Sequence, residues 1–297
     1  MKRVLVVVAT LMISLLGNAA AQAADPVSTS RTRVPRLPTD ACGTQPVKAD
    51  GSRWLCSFDD EFNARTLDRT KWVPQTTGFS TGTAQVHACY VDDPANISVS
   101  GGSLNLTVRK LAQPVPCASN PSLTPSPYTS GSVSTYHLFS QQYGRFEARI
   151  KVAATRSPGL QETFWLWPDD RVTSAALWPT AGEIDVVESY SVYPDLGVPF
   201  LHYGATDNGG PVPGTNTAWN CVARRGVFNT WTLEWTPAQL KIMVNGRTCL
   251  VNTSGDTAFN KPYIAAFTQA LGGAGNVYDG RTPMPATMNV DYLRVWK

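Results

Sequence analysis

The chain has 297 residues, with 25 basic and 22 acidic side chains and a formal net charge of +3. Lys and Arg are scattered singly or in isolated pairs such as Arg224-Arg225, which excludes the clustered cationic face that a nucleic-acid backbone requires. Six cysteines without a Cys-x-x-Cys pair exclude zinc-knuckle and thioredoxin-like frameworks, and a neutral partner suits the charge best.

In chain order, Lys2 and Arg3 precede an apolar run from Val4 to Leu16, and small residues follow as far as Ala21-Gln22-Ala23. This is the layout of a secretory signal peptide over residues 1–23, with cleavage after Ala23. The run is too short to span a bilayer comfortably, so the expectation is a secreted, extracellular protein with no membrane attachment after cleavage. Losing Lys2 and Arg3 leaves a net charge near +1. In an oxidising compartment the even set of cysteines should form disulfides, and proximity favours Cys42–Cys56, Cys89–Cys117 and Cys221–Cys249. Residues 24–41, rich in Pro, Ser, Thr and Arg, predict a flexible N-terminal segment, and residues 42–297 a single domain.

Within that domain apolar residues alternate with period two, and turn residues intervene. Leu104, Leu106 and Val108 alternate after Gly101-Gly102, and Phe146, Ala148, Ile150 and Val152 after Tyr143-Gly144. Trp231, Leu233 and Trp235 share one strand face, and Asn245-Gly246 marks a hairpin between 240–244 and 248–251. The closing segment, Met288 to Trp296, alternates to the end. So many strands with no helical period predict an all-β chain folded as a two-sheet antiparallel β-sandwich.

The segment Gly182-Glu183-Ile184-Asp185-Val186-Val187-Glu188 carries the candidate chemistry. In a flat strand Glu183 and Asp185 share a face, and Glu188, five residues on, points away. A bulge at Val186-Val187 would reset the alternation and bring all three acids to one face. Such a cluster is tolerable if at least one member keeps a proton, and glycoside hydrolysis needs that division between an ionised carboxylate and a protonated one. Trp165 and Trp167, two apart, and Trp178 nearby add flat aromatic surfaces that suit the C–H faces of sugars.

The run Trp178 to Glu188 resembles the signature of glycoside hydrolase family 16, in the bulged ExDxxE form of laminarinases (endo-β-1,3-glucanases), agarases and κ-carrageenases. Phe58-Asp59-Asp60-Glu61-Phe62, Tyr143 to Arg149, Leu201-His202-Tyr203-Gly204, Trp231 to Pro237 and Val290 to Val295 are similar to further family segments. The resemblance implies a jelly-roll, concanavalin-like sandwich with a concave carbohydrate-binding cleft. It implies Glu183 as nucleophile, Glu188 as general acid and then base, and Asp185 as the residue that positions and tunes Glu183. Asn96, Glu147, Arg149, Trp165, Trp178 and His202 match the family's sugar-binding positions. Glu61 and Asp291 match acids that hold a structural calcium in many members, and no cofactor is expected for catalysis. His87, His137 and His202 are isolated, no HExxH spacing occurs, and no GxSxG elbow supports a serine hydrolase.

Two segments depart from the laminarinase pattern. Gln161-Glu162-Thr163 stands before Phe164-Trp165 where Pro-Ala is usual, and Thr268-Gln269-Ala270-Leu271-Gly272-Gly273 stands where Asn-Leu-Ala-Val-Gly-Gly is usual. The implied function is an endo-acting, retaining hydrolase of β-linked polysaccharide with β-1,3-glucan as leading substrate. The protein is expected to be a monomer with a polysaccharide partner. Another β-glycan, such as mixed-linkage glucan, galactan or agar, and a transglycosylase remain alternatives, as does, from another class, a lectin-like domain that binds glycan without cutting. Asn96, Asn105 and Asn252 each open an Asn-x-Ser/Thr sequon, relevant only in a glycosylating host.

Overall fold

A computed structural model describes residues 38–77, 79–174, 178–204, 212 and 215–297. The expected signal peptide over residues 1–23 and most of the expected segment 24–41 lie outside the described residues. Among the described residues the first strand begins at Thr39, three residues before the expected domain start. There β1 (Thr39–Asp40) pairs with β2 (Gly43–Thr44) in a hairpin. The Asp40 carboxylate accepts from the backbone N–H of Cys42 and of Cys56, and from Gln45, so this turn belongs to the folded domain.

The chain continues through β3 (Cys56–Asp60), β4 (Val73–Pro74), β5 (Ser80–Gly82), β6 (His87–Tyr90), β7 (Ile97–Ser100), β8 (Ser103–Val115), β9 (Ser126–Ser130) and β10 (Ser132–Ser134). Then follow β11 (Gly144–Lys151), β12 (Leu160–Pro168), β13 (Glu183–Tyr190), β14 (Val198–His202) and β15 (Asn229–Thr236). The last four are β16 (Gln239–Val244), β17 (Arg247–Asn252), β18 (Tyr263–Leu271) and β19 (Ala286–Trp296). Two large sheets result. One has the order β14-β13-β12-β18-β10-β4. The other runs β17-β16-β15-β11-β19-β8-β9-β6-β5, with β3 beside β19 and β7 beside β8. Pairing is antiparallel except between β6 and β9.

The predicted alternation holds. Phe146, Ala148 and Ile150 on β11, Trp231, Leu233 and Trp235 on β15, and Met288, Val290, Leu293 and Val295 on β19 enter one core with Phe164, Leu166, Ile184 and Phe267 of the facing sheet. Burial of this apolar surface is what holds the two sheets face to face. The three disulfides pair as proximity suggested, Cys42–Cys56, Cys89–Cys117 and Cys221–Cys249, and each closes a loop worth about 3–4 kcal/mol in the chain-entropy account. The Asn245-Gly246 hairpin joins β16 to β17, with both residues at positive φ as that turn requires.

The shorter sheet carries the groove. On β18, which is buried throughout, Tyr263, Ala265 and Phe267 face the core while Ile264, Ala266, Thr268 and Ala270 line the groove floor. Small side chains at Ala266 and Ala270 leave the hollow that neighbouring aromatics wall in.

Candidate active site

The bulge forms where the sequence placed it. Along β14, Asp185 faces Phe200 and Glu188 faces Val198, so Val186 and Val187 together oppose Pro199. Along β12 the slip falls between Trp165, opposite Asp185, and Phe164, opposite Val187. Both valines stay in the core, and Glu183, Asp185 and Glu188 all line the same groove. Just ahead of the strand stands Gly182, whose φ of +93° and contact with the Tyr263 hydroxyl leave no room for a Cβ.

Each acid has its own partners. The Trp178 indole N–H donates to Glu183 Oε2 at 2.7 Å. His202 Nε2 lies 3.3 Å from Asp185 Oδ2, and its ring stacks on Phe200 and faces Trp178. Gln161 Nε2 donates to Glu188 Oε1 at 2.7 Å, and the Tyr190 hydroxyl is a second partner of Glu188. One oxygen each from Glu183 and Asp185 and one ring nitrogen of His202 lie within 4.8 Å of one another, so Asp185 sits against both.

Burial dominates the electrostatics. It pushes the Glu183 carboxyl well above the ordinary range, the charge of Asp185 adds to the rise, and the His202 charge and the Trp178 hydrogen bond oppose it. Asp185 is also pushed well up, first by burial and then by Glu188. Glu188 is raised by burial, against the hydrogen bond from Tyr190, the charge of His202 and the hydrogen bond from Gln161. Three carboxyls so placed resist being ionised together, which favours a proton held among them.

Of the other expected contacts, Trp165 and Trp178 belong to the site. Trp165 and Trp167 stand edge to face at 5.8 Å, and Trp165 donates its indole N–H to Thr268 Oγ1. The structure corrects three assignments. Glu147 and Arg149 lie on β11 in the opposite sheet, on its outer face, because Phe146, Ala148 and Ile150 take the core side. There Glu147 accepts from Arg145, Thr232 and Tyr292, while Arg149 pairs with Asp291 and stacks over Phe228. Asn96 is buried, and its amide donates to Thr107 O and accepts from Thr129, so it braces the turn into β7 and reaches no cleft.

The calcium pair does not fit as a donor set. Both oxygens of Glu61 are held by Arg294 at 2.7 and 2.8 Å, and Asp291 is held by Arg149 at 2.6 Å, so guanidinium groups already balance both charges. Sequence reasoning missed the groove role of Tyr190. A signal for it existed, since Tyr190 shares period two with Glu188. Phe79 and Tyr136, which also line the groove, come from other parts of the chain and carried no local signal.

A two-sheet sandwich whose bulged strand presents three buried carboxylates beside aromatic rings is a β-sandwich of the glycoside hydrolase type. The model of the family described as glycosyl hydrolases family 16 matches residues 84–294. The chain belongs to that family. It is 28% identical over 272 residues to glucan endo-1,3-beta-glucosidase A1 of Niallia circulans, spanning 81% of this chain and 37% of that protein. It is 27% identical over 263 residues to a beta-glucanase of Rhodothermus marinus, spanning 82% of this chain and 85% of that one. Among solved structures, SCLam, a non-specific endo-beta-1,3(4)-glucanase, superposes with a TM-score of 0.67 at 25% identity, over 85% of this chain and 93% of its own. The chain thus spans about a third of the first of these relatives and most of the other two.

Proposed function

We propose that this chain is a secreted, endo-acting hydrolase of β-1,3-glucan that cleaves with retention through a glycosyl-enzyme. The observation that carries the proposal is the bulge that gathers Glu183, Asp185 and Glu188 on the floor of an open groove of about 550 Å³. Trp178 holds Oε2 of Glu183 and leaves Oε1 to attack the anomeric carbon. Glu188 protonates the departing glycosidic oxygen, and then takes a proton from the water that hydrolyses the ester. Asp185, between Glu183 and His202, acts on the nucleophile as a positioning residue. The aromatic walls at Trp165, Trp167 and Phe79 suit a neutral glycan, and the relatives named as glucanases support glucan as the polymer. An open groove that crosses the strands accepts the middle of a chain, which supports endo-action.

The test is a reducing-sugar assay of the secreted protein on laminarin, lichenan, agarose, galactan and κ-carrageenan, with Glu183→Gln beside it and the anomer of the first product read by NMR. Release from laminarin with β-anomer first, abolished in Glu183→Gln, is the expected result. Full activity in Glu183→Gln would remove the nucleophile assignment, and an α-anomer would remove retention. Binding without cleavage of any polymer would favour the lectin-like alternative. Secretion is checked by the N-terminus of the exported protein, expected at Ala24.

A further inference from the structure

The two stretches that depart from the laminarinase pattern meet beneath the groove floor. Glu162 on β12 stands opposite Gln269 on β18 and opposite Ser189 on β13. Gln161, Thr163, Thr268 and Ala270 line the groove, so by strand alternation Glu162 and Gln269 point away from it, and both are buried. Arg225, buried as well, comes up to them from the segment ahead of β15. Its Nη1 and Nη2 grip the two oxygens of Glu162 at 2.8 and 2.7 Å, Nε donates to Ala153 O at 2.9 Å, and Nη1 also reaches Ser189 Oγ at 3.2 Å. Gln269 Nε2 lies 3.5 Å from Glu162 Oε1. The segment that carries Arg225 is tied to the turn between β13 and β14, since Arg225 N donates to Pro194 O and Ala223 N to Asp195 O.

This guanidinium stands one residue away from Glu188 by two routes. Ser189 follows Glu188 along β13. Gln161, which precedes Glu162 along β12, donates to Glu188 Oε1 at 2.7 Å. A buried ion pair adds little stability over well-packed apolar side chains, but its two-pronged geometry admits a single arrangement of the strands that bear it.

We infer that Arg225 and Glu162 are positioning residues for the general acid: their buried fork fixes β12 against β13 so that Gln161 stays on Glu188 and the Glu188 carboxyl is aimed at the glycosidic oxygen. The inference rests on the role of Glu188 proposed above. Neither Arg225 nor Glu162 lines the groove, so the pair reaches the reaction only through Glu188 and its partner. Proton transfer to a leaving oxygen is sensitive to such aim, because a misplacement of about 1 Å can cost about 100-fold in rate. The loss is greatest where the leaving group most needs the proton.

The experiment compares the native enzyme with the double variant Glu162→Leu with Arg225→Met, in which no charge is left unpaired. It reads kcat/KM on laminarin and on a dinitrophenyl β-1,3-gluco-oligosaccharide, whose leaving group departs without a proton. The ratio of the two constants is internal to each preparation, so loss of folded enzyme cancels. In the double variant the ratio of laminarin to aryl glycoside should fall by about 10-fold, with the aryl glycoside itself held within about 2-fold of native. Ser189→Ala removes only the Oγ contact and leaves the ion pair in place. It should lower the ratio by about 2-fold, and it decides the matter if the double variant does not fold. An unchanged ratio, whether from full activity or from equal losses on both substrates, overturns the positioning role and leaves the hydrolase proposal standing. A native enzyme that cleaves neither substrate overturns both.

Discussion

Replacing Arg225 with methionine should destabilise the protein far more than any exposed ion pair could. Glu162 on β12 and Arg225, ahead of β15, form a two-pronged pair at 2.7 and 2.8 Å with side chains only 0% and 2% exposed. Methionine keeps much of the volume but leaves the Glu162 charge in the interior, with only a 3.5 Å contact from Gln269. Stripping one partner from a buried pair costs about 3–5 kcal/mol. In a domain of this size each kcal/mol moves Tm by about 2–4 °C, so Tm should fall by about 6–20 °C. The double variant Glu162→Leu with Arg225→Met should recover most of that, since well-packed apolar groups replace a buried pair at little cost. Arg69→Ala, which breaks the Arg69–Asp92 pair with side chains 55% and 42% exposed, should cost no more than about 1 kcal/mol. Thermal and urea unfolding followed by circular dichroism, with disulfides intact, measures all three. A loss below about 1 kcal/mol in Arg225→Met, or a double variant no more stable than the single one, would refute the argument.

Three further outcomes follow from the carboxylate site. Glu183→Gln should abolish turnover yet raise Tm at neutral pH, by on the order of 1 kcal/mol. The sign follows from the raised carboxyl: the folded state keeps a proton that the unfolded chain releases, so native stability falls as pH climbs above the ordinary glutamate value near 4.5. The gain of Glu183→Gln should thus grow with pH and vanish in acid, and equal Tm at every pH would contradict it. Gln161→Leu removes a hydrogen bond that holds the Glu188 carboxyl down, so the alkaline limb of kcat/KM should move to higher pH, while a fixed limb would detach Gln161 from the acid. Glu188→Ala should lose about 100-fold or more on glucan but far less on nitrophenyl glycosides, which need little protonation, and equal losses would count against Glu188 as the acid.

Legibility in the sequence followed how local each feature is. Period-two alternation decided which side chains of β11, β15 and β19 face the core, and the arithmetic of Glu183, Asp185 and Glu188 demanded a bulge at Val186-Val187. Both are local statements about a strand. Glu147 and Arg149 show where this stops. Their side of β11 was correctly readable as the non-core side, but a sandwich has two outer faces, and only the pairing of β11 with β15 and β19 says which one they join. Glu61 and Asp291 fail for a related reason, because the arginines that engage them come from β19 and β11. No spacing rule could have supplied those neighbours.

The bulge also explains how so unfavourable a cluster is sustained. In a regular strand this run of residues would leave Glu188 on the core side, or bring it to the groove face only by turning an apolar neighbour out of the core. Here Val186 and Val187 are both turned inward, 0% and 3% exposed, and sit with Ile184 against the opposite sheet. The extra residue separates the placement of the acids from the packing of the valines. The strand therefore retains the apolar burial of a core strand, and that burial offsets the desolvation of its carboxylates. Deleting Val187 should act on the packing and spare the placement. It would leave Glu188 four positions after Glu183, so that a flat strand keeps all three acids on the groove face without a bulge while the core loses one valine, and stability should fall by about 2–3 kcal/mol with turnover largely retained. Circular dichroism and glucan hydrolysis on the same preparation would decide it. A deletion variant that stays folded but has lost turnover would show that the bulge sets the positions of the acids beyond the face they share.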